Sequence, residues 1–211
     1  MSDGYFITVS GIDNAGKTTL IPAIEDIVQQ NGCTATTTSE PSPTWTGEAV
    51  RKSIHGDTSE HPITTFFLFM ADRNKHIQET ILPALERGEV VVSDRFADST
   101  RAYQPIALED AVSDPDALID DAMAEWSIEP DLTLYIDITV DESIARGGGD
   151  DVYENREFLE RVQDNYEAIN DENKRVVRID GMQPQNEVVK ECAAVITKEL
   201  TKQALMNNLK F

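Results

Sequence analysis

The segment Gly11-Ile12-Asp13-Asn14-Ala15-Gly16-Lys17-Thr18 has the residue types and spacing, G-x-x-x-x-G-K-[ST], that cradle phosphate groups. It follows an apolar strand-like run and opens a helix-like one, which is the context the chemistry needs. Gly11 and Gly16 let the chain curl so that successive N–H groups and a helix N-terminus face a β-phosphate. Lys17 adds a cation near the β- and γ-oxygens and Thr18 offers its hydroxyl to Mg²⁺, while Asn14, Ala15 and Thr19 complete the set around the phosphates of ATP. An ordinary glycine turn is the plainer alternative.

A second segment, Val90-Val91-Val92-Ser93-Asp94-Arg95, reads as a buried strand that ends on an ionic pair. Ligands of parallel α/β sheets gather at the carboxyl ends of strands, which predicts Asp94 and Arg95 beside the phosphate loop. There Asp94 orders the waters around Mg²⁺, and Arg95 bridges donor and acceptor phosphates, whose repulsion is the main electrostatic obstacle to transfer. A surface salt bridge at a strand end is the competing reading.

The elements that must position these residues follow from the patterning of 211 residues. Short apolar runs alternate with amphipathic stretches, the order of an α/β domain built on a parallel sheet. Strands are expected over Tyr5–Ser10, Thr34–Thr38, Val90–Ser93, Leu132–Ile138 and Arg175–Ile179. Helices are expected over Lys17–Gln30, bent or shortened by Pro22, and over Ile63–Arg87, kinked at Pro83. Further helices are expected over Val140–Arg146, Arg156–Asn170 and Gln185–Leu205. The acidic stretch Ala107–Trp126 reads as helical too, and Gly147-Gly148-Gly149 as a mobile joint. One domain over residues 1–211, with a short mobile lid at about 146–156, is the simplest organisation.

Composition limits the partners. Lys and Arg number 18 against 39 Asp and Glu, and the net charge of −21 repels nucleic-acid phosphates and anionic membranes. Neither is expected as a partner, and no apolar run approaches the roughly 20 residues of a bilayer span. Acidic pairs are spread along the chain, as at Glu109-Asp110, Asp120-Asp121 and Asp150-Asp151, which suits a folded surface adapted to high salt. Met1-Ser2-Asp3-Gly4 runs almost directly into the first strand without an export signal, which predicts a cytoplasmic protein. Cys33 and Cys192 lie far apart and in no C-x-x-C pattern, so both read as buried small hydrophobes. His55, His61 and His76 lack metal-ligand spacing and read as surface residues.

Taken together, five segments resemble the thymidylate kinase family in order and spacing, from about Phe6 to the last helix. They are G-I-D-N-A-G-K-T-T, E-P-S-P-T-W-T-G-E-A-V-R, F-L-F-M-A-D-R, P-A-L-E-R-G-E-V-V-V-S-D-R-F-A-D-S-T-R-A-Y-Q and P-D-L-T-L-Y-I-D-I. The D-R-F-x-x-S-T-x-A-Y-Q block is the most diagnostic part and the phosphate loop the most generic. The resemblance implies a P-loop kinase with a five-stranded parallel sheet flanked by helices, a homodimer, and phosphorylation of dTMP to dTDP by Mg²⁺-ATP.

Position by position, the resemblance implies that Asp13 accepts a hydrogen bond from the 3′-hydroxyl of the acceptor sugar. Phe69 would stack on thymine, and Arg73, one helical turn later, would reach its carbonyl edge. In the same reading Arg51 holds the acceptor phosphate, Ser99 and Gln104 contact or approach the base, and Tyr103 crowds the sugar 2′ position. Plain core packing is the alternative for Tyr103, and Phe66, Phe67 and Leu68 read as core.

Two departures from the family pattern stand out. Relatives place an arginine in the phosphate loop or within the lid, but this chain has Asn14 in the loop and Gly-Gly-Gly-Asp-Asp in the lid region. Arg146 and Arg156 are therefore the candidate transition-state cations, and Lys17, Arg95 and the carboxylate Asp13 complete the catalytic set. The second departure is Ser39 before Glu40-Pro41, where bacterial relatives often carry arginine. Thymine differs from uracil by one methyl, worth about 1–3 kcal/mol in a pocket, so relaxed activity on dUMP is compatible with the site. The nearest alternative is a kinase for another deoxynucleoside or its monophosphate; a more distant one is a P-loop switch that phosphorylates no metabolite.

Overall fold

The computed structural model describes residues 4–55, 60–147 and 156–208. Its strands are β1 (Tyr5–Ser10), β2 (Ala35–Ser39), β3 (Val90–Asp94), β4 (Leu132–Asp137) and β5 (Val176–Asp180). The helices are α1 (Lys17–Gln30), α2 (Trp45–His55), α3 (Pro62–His76), α4 (Leu82–Glu86), α5 (Ala97–Leu108), α6 (Pro115–Met123), α7 (Val140–Arg146), α8 (Arg156–Glu172) and α9 (Gln185–Asn208). All five strands run parallel in the order β2-β3-β1-β4-β5, the α/β sheet that the sequence predicts.

The apolar alternation of the strands builds a core on each face of the sheet. Ile7 and Val9 of β1 and Val90 and Val92 of β3 pack with Leu20 and Ile24 of α1 and Ile196 of α9. Phe6 and Val91 point the other way, onto Phe66, Ile77, Ile81 and Leu108. Both cores press on β1, which is buried at every position and carries the phosphate loop at its end. Cys192 is buried and Cys33 partly so, and both are free thiols.

Local rules account for where the helices differ from expectation. Helix α1 runs unbroken through Pro22. The long helix expected over Ile63–Arg87 contains a π turn at Ile77–Ile81 that joins α3 to α4 ahead of Pro83. Proline lacks an N–H and its ring clashes with the carbonyl four residues back, and a wider turn accommodates both. The acidic 107–126 stretch is not one helix: α5 stops at Leu108, and α6 begins only at Pro115. Asp114 caps α6, its Oδ1 accepting from Ala117 N at 3.0 Å, and Pro fits the first helical turn.

Phe67, expected in the core, is 52% exposed, whereas Phe66 beside it is fully buried. Neighbours in an α-helix point about 100° apart and cannot share one face. Gly148 and Gly149, with most of the expected lid, lie outside the described residues. Among the described residues, no helix is long and apolar enough to cross a membrane.

Candidate active site

The chain turns sharply between β1 and α1, with positive φ at Gly11 (143°), Asn14 (58°) and Gly16 (89°). A Cβ at position 11 would stand 2.6 Å from the Ile136 carbonyl oxygen, whereas at position 16 it would meet nothing within 4 Å. Space requires the first glycine and backbone conformation the second. Asn tolerates the left-handed region better than most residues. Here the Asn14 Nδ2 donates to Ser143 O at 3.3 Å, and the Ser143 Oγ donates to Asp13 O at 2.8 Å. These two bonds tie α7 to the phosphate loop.

Lys17 is only 5% exposed, and its Nζ donates to Ile12 O at 2.7 Å. Burial, aided by the nearby Arg95 charge, lowers its pKa to about 7 against the opposing pull of Asp13 and Asp94. Thr18 Oγ1 donates to Asp94 Oδ2 at 2.6 Å, at the end of β3. The other oxygen, Asp94 Oδ1, is buried and has no hydrogen-bond partner among the described residues.

Arg95, itself at positive φ (70°), forms an ion pair with Asp13 and lies over the Tyr103 ring at 5.4 Å. Burial acts to raise the Asp13 pKa, but Arg95 and Lys17 outweigh it and hold the carboxyl below its usual range. Asp13 and Arg95 line two cavities at once. The first, over the phosphate loop, is also walled by Asn14, Gly16, Lys17, Thr18, Thr19, Asp94 and Arg146. The second, of about 260 Å³, brings together every other residue that the resemblance assigns to the acceptor: Arg51, Phe69, Arg73, Ser99, Tyr103 and Gln104.

Arg73, Arg51 and Ser99 are held by hydrogen bonds to their surroundings. Arg73 is buried on α3, donating from Nε at 2.9 Å and Nη2 at 2.6 Å to Glu40 Oε2, with the Phe96 ring 5.2 Å away. Burial acts to raise the Glu40 pKa, and Arg73 with His76 keeps it below its usual value. Arg51 Nη1 donates to Pro41 O at 3.1 Å and Ser42 O at 3.0 Å. Ser99 Oγ accepts from Tyr166 OH at 2.8 Å.

Two residues to which the sequence assigns no role belong to this region. His76 is not a surface residue: it is fully buried, with Nδ1 3.2 Å from Glu40 Oε1 and Nε2 2.7 Å from Thr38 Oγ1. Its signal was the helical period, since Phe69, Arg73 and His76 stand at i, i+4 and i+7. Asp72 is also buried, and it accepts from Ser42 N at 2.7 Å and Thr46 Oγ1 at 2.8 Å, which fixes the turn leading into α2. Gly47, in the first turn of α2, packs against that segment, because a Cβ there would stand 2.0 Å from Ser42 O.

The two candidate lid arginines part company. Arg146 lines the phosphate cavity and also a third one, walled by Ala15, Gly181, Gln183 and Gln185; it donates to Gly181 O at 3.0 Å and to Glu142. Arg156 lines none of these three cavities; it is exposed on α8 and paired with Asp141 and Glu160.

A sequence model of the thymidylate kinase family matches residues 9–192. The chain is 39% identical to a probable thymidylate kinase of Natronomonas pharaonis over 194 residues, covering 92% of this chain and 96% of that one. It is 37% identical to a probable thymidylate kinase of Methanoculleus marisnigri, covering 90% and 93% of the two chains. A probable thymidylate kinase of Halobacterium salinarum is 36% identical, with 94% and 98% covered.

Proposed function

The chain belongs to the thymidylate kinase family, and from that premise we propose that it transfers the γ-phosphate of ATP to dTMP, giving dTDP and ADP. The observation that carries this reading is the shared wall: Asp13 and Arg95 face both the phosphate-loop cavity and the one that holds Phe69, Arg73 and Tyr103. Two nucleotides seated there meet phosphate to phosphate beside Arg95. An oxygen of the dTMP phosphate attacks the γ-phosphorus, the bond to the β–γ bridging oxygen breaks, and ADP leaves with that electron pair. No covalent enzyme intermediate is needed.

In this reading Lys17 leaves the Ile12 carbonyl for the ATP phosphates, whose negative charge holds the proton on its amine. Arg95 offsets the repulsion between the two phosphates, and Arg51 holds that of the acceptor. Asp13 accepts from the sugar 3′-hydroxyl, Phe69 stacks on the base and Arg73 donates to its carbonyl edge, with Ser99 and Gln104 beside it. Tyr103 fills the space that a 2′-hydroxyl would need. Arg146 is the candidate cation at the donor phosphates.

The residues present also fit Mg²⁺. The Thr18 hydroxyl is a ligand of the right kind, and Asp94 Oδ1, without a partner among the described residues, is an acceptor for a metal-bound water. Bound with ATP, the ion neutralises charge on the β- and γ-oxygens. Among the described residues no group of three His, Cys, Asp or Glu can hold a metal, which suits an ion carried in by the nucleotide.

We further read the protein as a single-domain cytoplasmic homodimer whose acidic surface suits high salt. Trp45 and Phe67, 70% and 52% exposed on the neighbouring helices α2 and α3, support a dimer face there. The deciding experiment is product formation from Mg²⁺-ATP with dTMP, dUMP, dGMP, UMP and thymidine as separate acceptors, in about 0.1 M and about 2 M KCl. Transfer mainly to dTMP is expected, faster in the higher salt because the charge of −21 is then screened. Transfer to none of them would overturn the kinase reading, and equal rates on UMP would remove the role given to Tyr103.

A further inference from the structure

Behind the acceptor cavity runs a chain of polar groups, the half-buried Thr38 and the buried His76, Glu40 and Arg73, whose first two members do not line that cavity. We propose that His76 is a positioning residue: it fixes the rotation of the Glu40 carboxylate and, through it, the direction in which Arg73 presents its guanidinium. The inference rests on reading the second cavity as the acceptor site.

Arg73 and Glu40 pair in an uncommon geometry. A guanidinium and a carboxylate commonly pair fork to fork, two donors on two oxygens. Here both donors, Nε and Nη2, fall on one oxygen, Oε2, at 2.9 and 2.6 Å. The second oxygen, Oε1, is left for His76 Nδ1 at 3.2 Å. A carboxylate accepts only, so Nδ1 carries the proton, and the Thr38 hydroxyl at 2.7 Å completes the Nε2 side.

Removing the ring donor frees Oε1. The carboxylate can then rotate to engage Arg73 across both oxygens, and the guanidinium must turn with it. What turns away is Nη1, whose neighbour at 3.3 Å is the Met123 sulfur, a weak acceptor that competes poorly with a base carbonyl. The chain also spans two elements: Thr38 lies on β2 and Glu40 just beyond it, while Arg73 and His76 lie on α3. His76 thereby sets the angle of the acceptor arginine against the sheet.

The test uses the whole protein, with dTMP and ATP binding measured by calorimetry beside steady-state rates. His76→Phe keeps the ring volume and removes the donor. The Kd and KM for dTMP should rise about tenfold or more, the usual cost of a hydrogen bond to a charged group. The KM for ATP and the saturated kcat should stay at their wild-type values. His76→Asn, whose amide nitrogen can replace Nδ1, should recover most of the loss. A His76→Phe protein with unchanged dTMP affinity, an Asn variant no better than Phe, or equal losses for both nucleotides would each overturn the proposal.

If His76→Phe does not fold, Thr38→Val tests the far end of the chain. It should weaken dTMP alone, by less than His76→Phe would, and no change would overturn the proposal. Arg73→Lys is the reference for the underlying reading. If it leaves dTMP binding intact, the acceptor assignment of the cavity fails. If Arg73→Lys loses dTMP affinity while the His76 variants keep it, only the role of His76 fails.

Discussion

The two halves of the cleft are held together differently. On the acceptor side Arg73, Glu40 and His76 are buried and bonded to one another, and Asp72 pins the turn that carries Pro41 and Ser42. On the donor side Lys17 is bonded to its own loop, three loop residues sit at positive φ, and Arg146 is occupied by Glu142 and the Gly181 carbonyl. The acceptor half needs little rearrangement to receive a base. The donor half must exchange internal bonds for bonds to phosphate, so its residues should matter mainly for turnover and those opposite mainly for affinity and stability.

Lys17→Met should show the contrast most strongly. Loss of the cation at the transferring phosphate should lower kcat about 10³-fold or more, with dTMP affinity unchanged by calorimetry. The same substitution should stabilise the free protein at pH 7 by about 1 kcal/mol, or about 2–4 °C in Tm, because a buried charge is removed. The sign follows from protons: the folded pKa of about 7 lies below the ordinary 10.5, so between those values the unfolded chain binds the extra proton. Wild-type stability therefore gains from rising pH across that window, and the methionine variant should lack this gain. ATP binding at pH 8 should also take up about half a proton or more, read from calorimetry in buffers of different ionisation enthalpy. A lower Tm for Lys17→Met would place the lysine among the structural residues.

Glu40→Gln comes next. It leaves Arg73 as a buried cation without its counter-charge, which should cost about 3 kcal/mol of stability and weaken dTMP far more than ATP. Glu40 is held below its usual pKa, so it contributes stability above the ordinary carboxyl range that is lost as pH falls through the folded value. The glutamine variant should accordingly melt with less pH dependence on the acid side. Equal weakening of both nucleotides would mean that the pair supports the fold at large rather than the acceptor half.

The same contrast decides what could be read from the sequence. The phosphate loop and the strands are legible because their determinants are local, a motif of adjacent residues and runs of β-branched side chains. Lys17, Thr18, Asp94 and Arg95 meet as expected because strand ends converge in a parallel sheet. The residues assigned to the acceptor are legible only through family resemblance, since Arg51, Phe69 and Tyr103 lie on three different helices. Helix α2 has no place among the expected helices, and its need for Gly47 arises from the close approach of Ser42 O, which no local pattern carries. His76 carries no metal-ligand spacing, and its burial shows only in the helical phase that it shares with Phe69 and Arg73.

A smaller effect belongs to Arg146, which faces the phosphate and third cavities from the last turn of α7. Arg146→Ala should lower kcat/KM for ATP about tenfold, the cost of one charge-assisted bond, and leave dTMP affinity alone. Arg156→Ala should do least of all. Its guanidinium is more than half exposed and already paired with Asp141 and Glu160, and exposed pairs of this kind are worth about 0–1 kcal/mol. The variant should turn over at about the wild-type rate, within roughly twofold. A loss as large as that of Arg146→Ala would mean that α8 turns its N-terminal end onto the donor phosphates during the reaction. The donor half would then draw its cation from α8, and its dependence on rearrangement would be greater than the bonds of Arg146 alone require.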